Sequence, residues 1–101
     1  MDFESSTSSD GIEARLRGRL EFTDHDRLRD IVRLLESDGI KRMVIDLKDL
    51  EFIDSAGLGM LLIMQEEAEQ RNVKLIVRGP RNDVKRSIDL ARISEIITIE
   101  T

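Results

Sequence analysis

The sequence has no cysteine, no tryptophan and no tyrosine, and only one proline, one histidine and three phenylalanines. Each shortage removes a class of chemistry. Without cysteine there is no disulfide framework, no thiolate metal site and no thiol nucleophile. That composition suits a reducing, cytoplasmic compartment. Three phenylalanines are too few to build stacking platforms for single-stranded nucleic acid. The one histidine, His25, would have to meet Ser55 to form a Ser-His-Asp triad. No Gly-x-Ser-x-Gly elbow supports that arrangement, so the chain is not expected to be an enzyme. His25 reads as a polar residue in a first helical turn, able to tune contacts with a phosphate or a partner by its charge.

Long hydrophobic runs are also missing. The longest, Leu58 to Met64, is broken by Gly59 and is far too short to span a bilayer. Met1 to Asp10 is polar and serine-rich, without the apolar centre of a secretory signal. A soluble protein without membrane insertion is expected.

Positive charge is in deficit, with 16 Lys and Arg against 21 Asp and Glu and a net charge of -5. An acidic domain is a poor fit to a phosphate backbone, so nucleic acid is not an expected partner. The local basic group Arg71, Lys74, Arg78, Arg81, Lys85 and Arg86 reads as a solvated face. The acidic run Asp46, Asp49, Glu51 and Asp54 lacks the spacing and the glycine of a calcium loop. It reads as solvated loop charge, and neither a metal nor a cofactor is expected.

What remains is a chain of 101 residues, 40% of them hydrophobic. That is enough for one core, and a single domain over residues 1–101 is expected. Ser5 to Ser9 is low in complexity, either a frayed terminus or an edge strand. If Met1 to Ser6 pairs with the segment after Gly11, Asp10–Gly11 closes a hairpin. Ile12 to Leu20 alternates: Ile12, Ala14, Leu16, Gly18 and Leu20 on one side, Glu13, Arg15, Arg17 and Arg19 on the other. This predicts a half-buried strand. Thr23 or Asp24 can cap a helix whose apolar positions are Leu28, Ile31, Val32 and Leu35. Gly39 would end it. Met43 to Leu47 reads as a central strand covered on both faces. Asp49 to Phe52 leads into a helix that opens around Asp54–Ser55 and runs to about Arg71. Val73 to Val77 predicts another strand, Asn82 or Asp83 begins a short helix through Leu90, and Ile96 to Ile99 closes the chain as a short strand or a helix end. The alternation implies an α/β domain with a mostly parallel central sheet of about four or five strands and helices packed on it.

Within this frame Val44 to Leu62 stands out. A buried strand feeds a turn, then a serine at a helix start, then two glycines in the first helical turn. Gly57 and Gly59 each cost about 1 kcal/mol relative to alanine. Such a cost points to close backbone approach, by the neighbouring strand or by an external partner. Ser55 reads as an N-cap in structural terms and as a modifiable hydroxyl in functional terms. Free amides and the helix dipole at that position suit an added phosphate. Leu58 through Met64 is apolar around nearly the whole helix. Part of it is covered by a neighbouring helix or exposed for docking, with Leu58 and Met60 the expected exposed residues.

The stretch Asp54–Ser55–Ala56–Gly57–Leu58–Gly59 resembles the signature of the STAS family, named for sulfate transporters and anti-sigma factor antagonists. Gly18–Arg19–Leu20–Glu21 resembles the family's Gly-x-Leu-Asp, with Glu21 in place of the usual aspartate. The element order is similar from about Ile12 to the end, which implies a STAS-like fold. The resemblance implies an anti-sigma factor antagonist-like partner switch without catalysis of its own. The unmodified protein would bind a histidine-kinase-like ATPase serine kinase, often an anti-sigma factor. That kinase would phosphorylate Ser55 and a metal-dependent serine phosphatase would reverse the step. The implied partner-binding residues are Glu21, Phe22, Thr23, Asp24 and His25, with Asp54, Ala56, Gly57, Leu58, Gly59 and Met60. The rival implication is a constitutive subunit of a lipid-transport ATPase complex, with Ser55 only a helix cap. A monomer or a weak homodimer is compatible with either.

Overall fold

A computed structural model describes residues 1–7, 11–37 and 39–101. The chain runs β1 (Asp2–Thr7), β2 (Gly11–Leu20), a 3-10 turn (Phe22–Asp24), α1 (His25–Leu34), β3 (Arg42–Asp46), β4 (Leu50–Ile53), α2 (Ser55–Gln70), β5 (Lys74–Arg78), α3 (Asn82–Leu90), a second 3-10 turn (Ile93–Glu95) and β6 (Thr98–Glu100). The sheet order is β1-β2-β3-β5-β6, with β4 paired to β2 off this path. Among the described residues only the β1–β2 pair is antiparallel. The expected hairpin pairing is present, from Asp2 opposite Arg17 to Thr7 opposite Ile12. Its turn, including Asp10, lies outside the described residues.

The alternation in β2 produces the expected two sides. Ile12, Ala14, Leu16 and Leu20 are buried, whereas Arg15, Arg17 and Arg19 are exposed. Leu28 and Ile31 form the buried stripe of α1, Leu35 continues it just past the helix end, and Val32 packs at its edge. The helix ends at Leu34, earlier than its expected glycine stop. Gly39, at φ +79°, serves the turn beyond it.

The central strand departs from expectation. Three successive crossovers step from β2 to β3, from β3 to β5 and from β5 to β6, all in one direction across the sheet. Right-handed crossovers that advance one way lay their helices on one face. Met43 and Ile45 belong to the core beneath those helices, but Val44 and its register neighbour Ile76, although buried, stand outside it. The face they share carries ion pairs instead of helices: Arg17 with Glu4 at 2.9 Å, and Arg78 with Glu100 at 2.9 Å and Glu13 at 3.4 Å. Long arginine stems cover apolar groups while their charged ends stay in water. Three of the basic residues grouped in the sequence are accounted for by ion pairs, Arg78 there, Arg71 with Glu67 at 3.0 Å and Lys85 with Asp89 at 2.9 Å.

Strand β4 was legible only as a connecting stretch. It takes over beside β2 where β3 leaves off: β3 pairs with Gly11 to Arg15, and β4 pairs with Gly18 to Leu20. The Asp46 carboxylate accepts the Lys48 amide at 2.9 Å and turns the chain out of β3. Gly18, at φ +85°, marks the register shift in β2 that admits the new partner. The result carries Asp54 and Ser55 to the carboxyl end of β2, beside the 3-10 turn.

Candidate functional site

The start of α2 is fixed by Asp54, not by Ser55. Asp54 has extended backbone and its Oδ1 accepts the Gly57 amide at 2.7 Å, the geometry of an N-cap. The expected capping role of Ser55 is therefore moved by one residue. Ser55 is the first helical residue and its side chain is exposed. Asp54 also reaches across to the neighbouring turn. Its Oδ2 accepts the Phe22 amide at 3.4 Å, and its own amide donates to the Leu20 carbonyl at 3.3 Å.

The two glycines of the motif separate. A Cβ on Gly57 would stand 2.6 Å from the Leu20 carbonyl oxygen and 2.7 Å from Ile53 Cγ1. Gly57 is buried, so the close approach there is to this chain's own strand and not to a partner. A Cβ on Gly59 would meet nothing within 4 Å. Gly59 faces open space, and no internal contact explains it.

Met60, expected to be exposed, is instead buried at 3% accessibility, on the stripe Gly57, Met60, Leu61, Met64 and Ala68 that recurs at helical spacing and faces inward. Leu58 is half-buried against the core. The exposed apolar residue of α2 is Ile63, 42% accessible. With His25, Leu28, Arg29, Val32 and Glu67 it lines a groove of about 200 Å³ between α1 and α2. Sequence reasoning did not single out Ile63, because a helix apolar all round does not reveal which side is covered.

The 3-10 turn is built around a second aspartate. Asp24 is buried, 8% exposed, and is unavailable as a direct docking group. Its Oδ1 accepts the Met1 ammonium at 2.9 Å and its Oδ2 accepts the Glu21 amide at 2.8 Å. Burial pushes its pKa up. The hydrogen bonds from the Glu21 amide and the ammonium, with the positive charges of the ammonium and Arg27, outweigh burial and hold the carboxyl below its ordinary value. Glu21, half-buried, pairs with Arg19, whose guanidinium lies 4.0 Å from the centroid of the Phe52 ring. Thr23 and His25 are exposed, Ala56 is half-buried, and Phe22 is 75% exposed.

The fold thus brings Phe22, Thr23, Asp54, Ser55 and Gly59 to one end of the sheet, with the α1–α2 groove at His25. Asp24, Gly57 and Met60 lie beneath this surface and hold it. Among the described residues no helix is long and apolar enough to cross a membrane, and no cluster of His, Asp and Glu could hold a metal ion.

The model of the STAS domain matches residues 5–101. A STAS-domain containing protein of Pseudomonas aeruginosa is 27% identical over 94 residues, which cover 91% of this chain and 92% of that protein. The anti-sigma-B factor antagonist of Staphylococcus aureus is 18% identical over 99 residues, 98% of this chain and 92% of its own. Among solved structures, the anti-sigma factor antagonist SpoIIAA in its unphosphorylated form superposes with a TM-score of 0.81 at 19% identity, covering 99% of this chain and 89% of that one. The phosphorylated form of the Bacillus SpoIIAA gives 0.72 at 18% identity, over 99% and 92%.

Proposed function

The chain belongs to the STAS domain family, and on that premise we propose that it works as a phosphoregulated partner switch of the anti-sigma factor antagonist kind. The observation that carries this reading is the division of labour at the start of α2. Asp54 caps the helix, so the exposed Ser55 hydroxyl is relieved of that duty. A serine kept there as a mere cap would have to make the bond that its neighbour makes. The rival reading, a constitutive subunit, loses its account of Ser55 at this point.

In the proposed cycle the unmodified surface around Phe22, Ser55 and Gly59 docks a serine kinase of the histidine-kinase-like ATPase class. The kinase transfers the γ-phosphoryl group of ATP to Ser55 Oγ, the hydroxyl proton leaves to a base, and ADP departs. The modification adds about -1.5 to -2 charges at the surface. A docked partner would have to desolvate that charge, so affinity falls. A metal-dependent phosphatase then uses water to release inorganic phosphate and restore the hydroxyl. The chain itself supplies a surface and an acceptor and no catalytic group.

The test is binding to purified kinases of that class from the same genome, measured by calorimetry. Ser55→Ala should bind as the wild type does and resist phosphorylation by ATP. Ser55→Asp should bind at least about tenfold more weakly, since a buried uncompensated charge costs more than about 1.4 kcal/mol. Equal binding by both variants would remove the switch.

A further inference from the structure

One carboxylate touches both halves of the proposed surface. Asp54 Oδ1 holds the Gly57 amide at the start of α2, and Oδ2 holds the Phe22 amide in the 3-10 turn. Phe22 projects into solvent, so burial of its ring does little to fix its place. Its backbone is held by the turn behind it, where the Asp24 amide donates to the Glu21 carbonyl at 2.9 Å, and by Asp54 in front. The two Asp54 bonds are unequal. The Gly57 bond, at 2.7 Å, has the length of a charge-assisted hydrogen bond, and the Phe22 bond, at 3.4 Å, is stretched beyond it. The longer bond gives way first when the carboxylate is disturbed.

We infer that Asp54 is a positioning residue for Phe22, and that charge added to Ser55 reaches the docking surface through it. Ser55 is the next residue in the chain. A phosphate there sets a second anion beside the Asp54 carboxylate, and like charges at that range repel. The helix cap, with its short bond, resists. The carboxylate turns away from the Phe22 amide, and the exposed aromatic loses its fixed position. Phosphorylation then alters the surface twice, by its own charge and by releasing Phe22. The signalling half rests on the reading of Ser55 as the modified residue; the positioning half rests on geometry alone.

Asp54→Asn separates the two duties. Asparagine is as good an N-cap as aspartate, so its oxygen keeps the Gly57 amide. Its other terminal atom is an NH₂ donor and cannot accept from Phe22. The experiment is amide–water exchange by NMR on the full chain as wild type, as Asp54→Asn, and with phosphoserine installed at position 55 by genetic code expansion. Asp54→Asn should speed Phe22 exchange about three- to tenfold, the loss of one modest hydrogen bond, with Gly57 unchanged. Phosphoserine should give the same selective rise at Phe22. An unchanged Phe22 amide in Asp54→Asn, or equal changes at Phe22 and Gly57, would overturn the positioning role. A Phe22 amide indifferent to phosphoserine would overturn the signalling half. Because the phosphate is installed directly, these results do not depend on whether a kinase modifies Ser55. The binding assay on the Ser55 variants can fail or succeed independently of them.

Discussion

Gly57 and Gly59 lie within one turn of the same helix, and the two sides of that turn have opposite purposes. On the inner side a single added carbon would collide with the Leu20 carbonyl, and Met60 and Leu61 continue the contact into the core. On the outer side the same carbon would meet nothing. The motif is therefore half structural and half available. Its inner residues bring α2 against β2 and β4, and in doing so they present Ser55, Gly59 and the neighbouring Phe22 to solvent.

Gly57→Ala, on the inner side, should have the largest effect. The colliding atom is backbone and cannot swing aside, so the helix must shift, at a cost of about 2–3 kcal/mol. Thermal unfolding should fall by on the order of 10 °C for a domain of this size. The Asp24→Ala change comes next. It strips the Glu21 amide and the Met1 ammonium of their shared, buried acceptor and should cost about 1–3 kcal/mol in urea unfolding. Asp24 also sets a pH dependence. Its folded pKa lies below the unfolded value of about 3.9, so its stabilisation is complete above that value and disappears as pH falls through the folded pKa. Asp24→Asn should flatten that part of the acid limb in a series of unfolding curves. Loss of the cap in Asp54→Ala should cost about 1 kcal/mol. Smallest, and opposite in sign, is Gly59→Ala. A residue that better favours helix in open space should recover up to about 1 kcal/mol of the glycine's cost. If the outer side is a docking surface, this more stable protein should bind its kinase less well. Gain of stability with unchanged binding would leave Gly59 without a role there.

The sequence revealed what depends on local period. The alternation of β2 and the stripe of α1 follow from side-chain geometry, so their buried faces could be read directly. Strand β4 escaped because Leu50–Ile53 is short and its pairing lies with the far end of β2, across an intervening helix. The open face of the sheet escaped because Val44 and Ile76 are as apolar as the residues beneath the helices; the direction of the crossovers decides which face is covered. At the site, Ser55 and Asp54 are equally good caps by residue type, and only the backbone at Asp54 distinguishes them. The buried role of Asp24 depends on Met1, distant in sequence and adjacent in space. Met60 and Ile63 could not be told apart in a helix apolar around its circumference.

Ser55, freed from capping, is the proposed site of a reversible phosphate. Intact-mass spectrometry of the protein isolated from its native host, with fragmentation to place any added phosphate, tests it most directly. The account predicts a phosphorylated fraction, carried on Ser55 alone and varying with growth conditions. A protein that is unmodified under every condition, or one phosphorylated only elsewhere, would contradict it.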